Sequence, residues 1–580
     1  MEKESLLNYL YRFFDIIVLL FIVFDFGYDF EENYNSPHVI GLILLSILLL
    51  FFNAFKYFTY KYQINKKVAL VNLIILIVVF IISAIMVLLN IDFSWSYILQ
   101  KIKPVLESGL VFYFLLRLLV LVRHIYDLYF NPAIVFVGSF MILAISGAFL
   151  LMTPSATTNG ISFTNAIFTA TSAVCVTGLA VVDTAEDFTL IGQSIILVLI
   201  QLGGIGILTF TSFFAFFFRG GSSFKEGLNT KDFIATEGLK DVFRAALNVV
   251  VFTISVEIVG AVFIYSSIVG NNAIENKFFF SIFHSISAFC NAGFSIFSNG
   301  LFDESIRFHY YFQWIIMILV VFGGLGHNIV FNFYQYLKTY ILELFNTKII
   351  HKEVRIITLN TKIVIYTTLM LLITGWIFLF ISEYNNTLLI HDTLFGKITN
   401  AAFNSVTPRT AGFNVIDFTE MTVPSLLFII FLMWVGASPA STGGGVKTST
   451  FAIATLNIFA VARGKNRIQL FGRRITSQST SRAFAILCIS LIVIGVSIMA
   501  LLIFEPTDTP VLSVAFECFS AYSTVGLSLN LTPNLTEPSK YVIIATMFIG
   551  RIGMLNLMIG LLRQMNHQFY EYPRENILIN

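Results

Sequence analysis

Apolar residues in this chain do not alternate with period two, nor do they form the narrow stripe of a surface helix; they continue in long runs separated by short polar or charged intervals. A helix of about 20 residues crosses the roughly 30 Å hydrocarbon layer of a bilayer. Runs of that order lie near 10–27, 39–57, 68–90, 108–127, 133–152, 190–218, 246–269, 309–336, 363–383, 423–460, 483–504 and 539–563, which predicts twelve spans. From residue 133 onward a shorter apolar stretch sits between the two long runs of each pair, near 162–174, 278–290, 392–405 and 510–522. Runs of about 10 to 14 residues are too short to cross and are read as re-entrant half-helices. Each has a start signal: Ser162, Asn276, Asp392, and Thr509 with Pro510 at the first helical position.

Composition turns the pattern into a fold class. Of 580 residues 57% are hydrophobic and 12% charged, where soluble domains carry about 25% charged residues. Mean hydropathy is +0.84. So little polar surface cannot coat a soluble globule of this size, and a bilayer is the solvent that suits its outer faces. The fold class is therefore all-α polytopic membrane protein: four span, pore-helix, span repeats around one pore, plus about four extra N-terminal helices. The expected division is 1–130 (N-terminal four-helix extension), 131–245, 246–362, 363–482 and 483–580 (repeats one to four, the last with a C-terminal tail).

Charge adds orientation. The balance of 35 Lys and Arg against 33 Asp and Glu gives a net charge of +2, with no excess that argues for nucleic acid. The basic residues gather around 56–67 (Lys56, Lys61, Lys66, Lys67), 219–245 (Arg219, Lys225, Lys231, Lys240, Arg244), 338–362 and 463–482 (Arg463, Lys465, Arg467, Arg473, Arg474, Arg482). By the positive-inside rule these loops are cytoplasmic, segments such as 28–38 with Asp29, Glu31 and Glu32 lie opposite, and both termini are expected to be cytoplasmic. The first apolar run contains Arg12, Asp15 and Asp25 with no small-residue cleavage pattern after it, so it is read as a retained helix and the chain as starting near Met1. Cys175, Cys290, Cys488 and Cys518 complete no CxxC pair and are expected as small buried residues rather than a disulfide or metal site.

After each short helix comes a glycine in a similar setting: Thr177-Gly178-Leu179, Ala292-Gly293-Phe294, Ala411-Gly412-Phe413 and Val525-Gly526-Leu527, at intervals of 115, 119 and 114 residues. Four such units of near-equal length are an internal repeat. Non-helical backbone at membrane depth survives only where its carbonyls face a partner or a water-filled path. Four converging loops supply a carbonyl ring of the kind that replaces a monovalent cation's hydration shell. Glycine permits the positive φ this needs, and the half-helices aim their negative dipole ends at the site.

At these residues the sequence resembles the Trk/Ktr/HKT superfamily of potassium transporters, in particular its bacterial TrkH and KtrB membrane subunits, over about residues 133–565. The carriers are Ser172-Ala173-Val174-Cys175-Val176-Thr177-Gly178-Leu179, Asn291-Ala292-Gly293-Phe294, Thr407-Pro408-Arg409-Thr410-Ala411-Gly412-Phe413 and Ser523-Thr524-Val525-Gly526-Leu527. The resemblance implies a K⁺ selectivity filter within one subunit, with ion-binding residues Val176, Thr177, Gly178, Asn291, Ala292, Gly293, Thr410, Ala411, Gly412, Thr524, Val525 and Gly526. In that family a serine at the first filter position goes with sodium transport; glycine at all four favours potassium.

The second long run of the third repeat is interrupted by Gly436-Ala437-Ser438-Pro439-Ala440-Ser441-Thr442-Gly443-Gly444-Gly445-Val446-Lys447, which no uninterrupted helix accommodates. A polar break at that depth must line a cavity. A phosphate-cradling loop fails because Val446 separates the glycines from Lys447. The resemblance implies an intramembrane gating loop that includes Gly436, Gly443, Gly444 and Gly445, with Lys447 at its cytoplasmic end. In the fourth repeat Arg551 stands within the last long run, and a charge there faces a pathway or a partner. Glu257 and Glu517 are its alternative carboxylate partners; the resemblance implies an arginine under the filter that repels cations and contacts the gating loop. Gly203, Gly204, Gly206, Gly323, Gly324 and Gly326 are read as permitting close helix approach, and His327 as structural.

Four spans before residue 130 invite comparison with a voltage sensor. Arg117, Val120 and Arg123 are three apart, but two arginines make a weak ladder, and a scaffold or dimer-packing role fits better. The expected function is potassium uptake across the cell (inner) membrane through the filter, with a sodium-selective or Na⁺- or H⁺-coupled carrier as the alternative. An enzyme is not expected, because the eight histidines are dispersed and neither HExxH nor GxSxG occurs. The resemblance further implies a homodimer on a cytosolic ring of nucleotide-binding RCK-type (TrkA/KtrA-like) subunits. No covalent cofactor is expected, and nucleotide acts only through that partner.

Overall fold

The computed structural model describes residues 35–59, 63–89, 132–206, 239–345 (apart from 272, 273 and 275), 357–439, 441–465 and 467–553, with single positions between 102 and 113. The predicted span 10–27, Arg117 and Arg123, most of the basic segment 219–245 and the tail beyond 553 lie outside the described residues.

Long apolar runs become helices because a segment in hydrocarbon must satisfy its own backbone N–H and C=O groups. Helices α1 (Asn35–Thr59) and α2 (Gln63–Leu89) pack on each other through Leu42, Leu49 and Leu76. A unit of long helix, half-helix and inner helix then occurs four times. The first is α3 (Pro132–Leu151), α4 (Phe163–Val174) and α5 (Leu190–Ile205); the second is α6 (Leu239–Ile268), α7 (Lys277–Cys290) and α8 (Tyr310–Leu325), continued by α9 (His327–Phe345). The third is α10 (Leu359–Glu383), α11 (Leu394–Val406) and α12 (Val423–Trp434), continued by α13 (Thr448–Ala462); the fourth is α14 (Ser477–Phe504), α15 (Val511–Ser523) and α16 (Glu537–Ile552).

The half-helices have 12, 14, 13 and 13 residues. Ser162 and Asn276 cap theirs by accepting the N–H groups of Asn165 and Phe279. The third cap is Thr393 rather than the expected Asp392: its extended backbone aims the hydroxyl at the Gly396 N–H, 3.1 Å away. The fourth helix opens at Val511, with Pro510 in the cap position instead of Thr509, because Pro510 keeps an extended ψ of 128°.

The inner helices break the predicted span 309–336, and cover only the first part of the runs 190–218 and 539–563, whose residues 207–218 and 554–563 lie outside the described residues. Helices α5, α8 and α16 stop after 16 residues, about 24 Å at 1.5 Å per residue and short of a full crossing. Each ends at a glycine in the left-handed region: Gly206 (φ +78°), Gly326 (φ +79°) and Gly553 (φ +83°). After Gly326 the chain bends by 101° into α9.

Packing closes the four units into a circle. One apolar cluster joins Phe140, Ala170 and Ile200 to Phe283 and Phe289 of the second unit; another joins Phe280 and Phe312 to Phe403 and Phe413 of the third. Ile429 and Met433 then meet Phe516 and Val525 of the fourth, whose Ile494 and Met547 return to Phe168 and Leu179 of the first. The outward faces are apolar as well: Ile492, Val496, Met499 and Ile503 make one stripe on α14, each more than 60% exposed. The basic stretch 463–482 carries an unanticipated hairpin, β1 (Gln469–Leu470) with β2 (Arg473–Arg474). Phe471 (φ +49°) and Gly472 (φ +73°) form its turn, and the Phe471 ring stacks on Tyr366 of α10.

Candidate functional site

Each half-helix ends against a residue in the left-handed region two positions before the repeat glycine: Val176 (φ +55°), Asn291 (φ +60°), Thr410 (φ +71°) and Thr524 (φ +50°). Three of the four are β-branched, for which positive φ is a genuine outlier costing on the order of 1–3 kcal/mol. Hydrogen bonds to the half-helix ends hold the conformation. The N–H groups of Thr177, Ala292, Ala411 and Val525 donate to the carbonyls of Ser172, Ser287, Thr407 and Ser520 at 2.8, 2.7, 3.0 and 2.9 Å. The same four side chains act again: the hydroxyls of Ser172 and Ser520 each accept the N–H of Gly178 and Gly526 at 3.1 Å, while those of Ser287 and Thr407 donate to the carbonyls of Phe294 (2.8 Å) and Phe413 (2.6 Å).

The glycines themselves have φ of +92° (Gly178), +71° (Gly293), +77° (Gly412) and +94° (Gly526). They touch in cyclic order. A β-carbon built on Gly178 would lie 3.1 Å from Cα of Gly293, one on Gly293 3.0 Å from Cα of Gly412, one on Gly412 3.2 Å from Cα of Gly526, and one on Gly526 3.0 Å from Cα of Gly178. Each such atom also meets the carbonyl oxygen of the residue before the next glycine, which is Ala292, Ala411, Val525 and Thr177 in turn. Positive φ and the neighbour's backbone thus exclude any side chain at all four positions. Ala292, Ala411, Val525 and Thr177 are themselves buried.

Behind the ring, Gly203, Gly323 and Gly550 of the inner helices face the carbonyl oxygens of Val174, Phe289 and Tyr522 so closely that no β-carbon fits. This is the close approach read from Gly203 and Gly323. Gly204 faces Cys290, and Gly324 lies 3.4 Å from the Asn291 side chain when given a β-carbon. The four cysteines are free; Cys175, Cys290 and Cys518 are buried and Cys488 is exposed. His327 starts α9.

The break in the third repeat, residues 435–447, packs against the half-helix ends on the side of the left-handed residues. Val435 and Val446 pair as a parallel bridge that pinches the base of the loop. Its tip reaches the second, third and fourth units. Ser438 N–H donates to Gly324 O (3.0 Å), Gly444 N–H donates to the Thr524 hydroxyl (3.0 Å), and a β-carbon on Gly445 would sit 3.0 Å from Cα of Ser523. Gly443 abuts Thr410, and Gly436 lies 3.4 Å from the Thr410 methyl by the same construction.

Three cations hold this loop, all through carbonyl oxygens. Arg551 donates to Thr442 O and to Gly203 O (2.7 Å), Lys447 to Gly443 O and to Gly444 O (3.4 Å), and Arg409 to Gly436 O (3.3 Å). Neither expected carboxylate meets Arg551. Glu257 accepts from Gln201 (2.9 Å) and Glu517 from Ser528 and Thr532, each already satisfied on its own side of the ring. Lys447 occupies the N-cap position of α13, where the loop ends, without a side-chain cap bond; its ammonium folds back onto two loop carbonyls instead.

Sequence reasoning missed the paired roles of Ser172, Ser287, Thr407 and Ser520, although a hydroxyl five or six residues before each glycine is visible in the repeat. It also missed Thr442, whose backbone carbonyl accepts from the distant Arg551 side chain, and Arg409, which donates to the distant Gly436 carbonyl.

Comparison with known proteins follows the same outline. A family model described as TrkH, cation transport protein, matches residues 108–571. The potassium/sodium uptake protein NtpJ of Enterococcus hirae is 34% identical over 455 residues, which cover 77% of this chain and 97% of that protein. The Ktr system potassium uptake protein B of Bacillus subtilis is 36% identical over 431 residues, 73% of this chain and 92% of that protein. Among solved structures, the potassium transporter TrkH from Vibrio parahaemolyticus superposes with a TM-score of 0.60 at 17% identity, covering 88% of this chain and all of that one, a likeness of fold.

Proposed function

Given that this chain belongs to the TrkH family of cation transport proteins, we propose that it carries K⁺ into the cell through the ring of Gly178, Gly293, Gly412 and Gly526, with residues 436–447 as the gate. The observation that carries this reading is the closed cyclic contact of the four glycines, each entered through a left-handed residue at a half-helix end. Such loops present the carbonyls of Val176 and Thr177, Asn291 and Ala292, Thr410 and Ala411, and Thr524 and Val525 to a dehydrated cation. An inside-negative potential supplies roughly 2.3 kcal/mol per charge per 100 mV, enough to concentrate K⁺ without bond chemistry.

In the gate, Gly443, Gly444 and Gly445 press on Thr410, Thr524 and Ser523 at the half-helix ends and Lys447 and Arg551 tie the loop down, so opening requires those carbonyl bonds to be exchanged. Regulation enters from the cytosolic side in this reading. The four-unit membrane body, divided as 131–245, 246–362, 363–482 and 483–580, forms a homodimer in the inner membrane with cytoplasmic termini. It docks a nucleotide-binding RCK-type ring on the basic segments, including the Arg473 and Arg474 hairpin, while residues 1–130 serve as scaffold. A second reading, transport of Na⁺ as well as K⁺, is favoured by the 34% identity to a relative called a potassium/sodium uptake protein.

Purified protein in liposomes, assayed for concentrative uptake of Rb⁺ against Na⁺, tests the proposal with the native chain and Gly178→Ser. K⁺-like selectivity that weakens in the serine variant supports the filter. A native chain that prefers Na⁺ overturns it.

A further inference from the structure

Nine residues before the repeat glycines the half-helices carry Thr169, His284, Phe403 and Glu517; two residues after the glycines stand Ala180, Ser295, Asn414 and Ser528. Only the second and fourth units join these two positions. His284 Nε2 lies 3.0 Å from the Ser295 hydroxyl, and the Ser528 hydroxyl donates to Glu517 Oε1. His284 and Glu517 are fully buried. In the first unit the buried Thr169 hydroxyl has no partner among the described residues, and in the third Asn414 turns away to donate to Asn299 O at 3.2 Å. Because the glycines touch in the order 178, 293, 412, 526 and back, the second and fourth units face each other across the ring.

Both contacts are built rather than incidental. His284 Nδ1 is 3.0 Å from the Phe280 carbonyl, which can only accept; Nδ1 therefore carries the proton, and Nε2 of the neutral ring accepts from Ser295. The Ser295 oxygen in turn accepts the N–H of Phe297 at 3.1 Å. Phe280, Phe283 and Phe312 enclose the imidazole with ring centroids 4.0, 5.8 and 6.2 Å away. Across the ring, the Thr532 hydroxyl lies 3.0 Å from each Glu517 oxygen and 3.1 Å from the Ser528 hydroxyl, closing a small network. Fully satisfied buried networks of this kind fix a local conformation more firmly than packing does.

We propose that His284 and Glu517 are positioning residues of the filter: two opposed clamps, each tying the residue two places after a filter glycine back to the middle of its own half-helix, a side-chain tie that the other two units lack at these positions. A ring pinned at two facing points resists the inward collapse by which its carbonyls would follow a smaller ion. The proposal rests on the filter reading above and names which side chains set its width.

The test uses the full chain in liposomes and reads the Rb⁺/Na⁺ uptake ratio together with the thermal midpoint of each variant. Ser295→Ala and Ser528→Ala are expected to lower the ratio by about five- to tenfold, the scale of one lost hydrogen bond to a buried partner. Ser295→Thr and Ser528→Thr keep the hydroxyl and are expected to retain the native ratio. Glu517→Gln preserves shape and folding and is expected to fall between; combined with Ser528→Ala it should add nothing further, since both act on one contact. Asn414→Ala, at the matching position but with its side chain bonded away from the half-helix, should leave the ratio unchanged. A selective native chain whose serine-to-alanine variants keep the ratio, or whose Asn414→Ala loses as much, overturns the clamps while leaving the filter standing. A non-selective native chain overturns both.

Discussion

The glycine ring and the loop packed against it are both irregular backbone at membrane depth, yet they are held in different ways. In the ring, positive φ at eight positions, hydrogen bonds to each half-helix and glycine-to-glycine contact all demand one conformation. The loop is held by bonds from its own backbone and hydroxyls to neighbouring units, and also by cationic ties that run from Arg551, Lys447 and Arg409 to carbonyl oxygens. Steric exclusion has no graded alternative, whereas a carbonyl bonded to a cation can exchange that partner for water. In the function proposed above, that difference would separate a fixed selector from a movable barrier.

The most damaging test of this contrast is Gly526→Ala. The left-handed backbone alone costs about 1–2 kcal/mol for a residue with a side chain, and the methyl would also strike the Thr177 carbonyl and the Gly178 Cα. Selective Rb⁺ uptake is expected to fall by more than about tenfold. The matched control is Gly495→Ala on α14, where a β-carbon meets nothing within 4 Å; its uptake should be unchanged and its thermal midpoint equal or slightly higher, as a helix gains about 0.5–1 kcal/mol from the exchange.

Arg551→Gln addresses the loop. Loss of charge-assisted bonds to Thr442 O and Gly203 O is expected to shift the loop's equilibrium on the order of tenfold toward release, read as faster uptake without a regulator and an unaltered Rb⁺/Na⁺ ratio. A ratio that fell together with faster uptake would merge the two regions into one device. Lys447→Met removes the tie to Gly443 and Gly444 and should act in the same direction but less, about threefold, because an unbranched apolar chain still fills the space.

The smallest effect is expected far from both regions, at His391 in the segment between α10 and α11. Burial, with Arg307 and Lys397 nearby, holds its pKa below the usual histidine value, and Nδ1 lies 3.0 Å from the Tyr310 hydroxyl. A folded state that binds the proton more weakly than the unfolded chain is most stable above the ordinary histidine pKa of about 6.5, and loses that stability as pH falls toward the depressed value. The thermal midpoint should therefore drop modestly between about pH 7.5 and 5.5, and His391→Gln should flatten that dependence with selectivity and uptake intact at neutral pH.

Much of the architecture was legible because hydropathy reports solvent and glycine reports φ. The half-helices and the four ring glycines stand out in the sequence for those reasons. The ends of the inner helices did not: Phe331 and Val330 continue the apolar run past Gly326, and an apolar pattern says nothing about a 101° bend. The partners of Arg551 were also out of reach, since a search for carboxylates cannot find backbone carbonyls at Thr442 and Gly203. His284 with Ser295, and Glu517 with Ser528, share a spacing of eleven residues. That signal becomes readable only when the units are aligned on their glycines and compared in opposite pairs.

One further property follows from drawing the whole ring from a single polypeptide. A pore assembled from four identical chains receives every filter mutation four times over, so its symmetry is inherited whether or not it is useful. Here Gly178, Gly293, Gly412 and Gly526 are separate codons, and a change in one alters a quarter of the circle while the rest keeps its shape. The molecule can thus be tuned one quadrant at a time, by selection or by design, along an axis of asymmetry that a homotetramer does not possess.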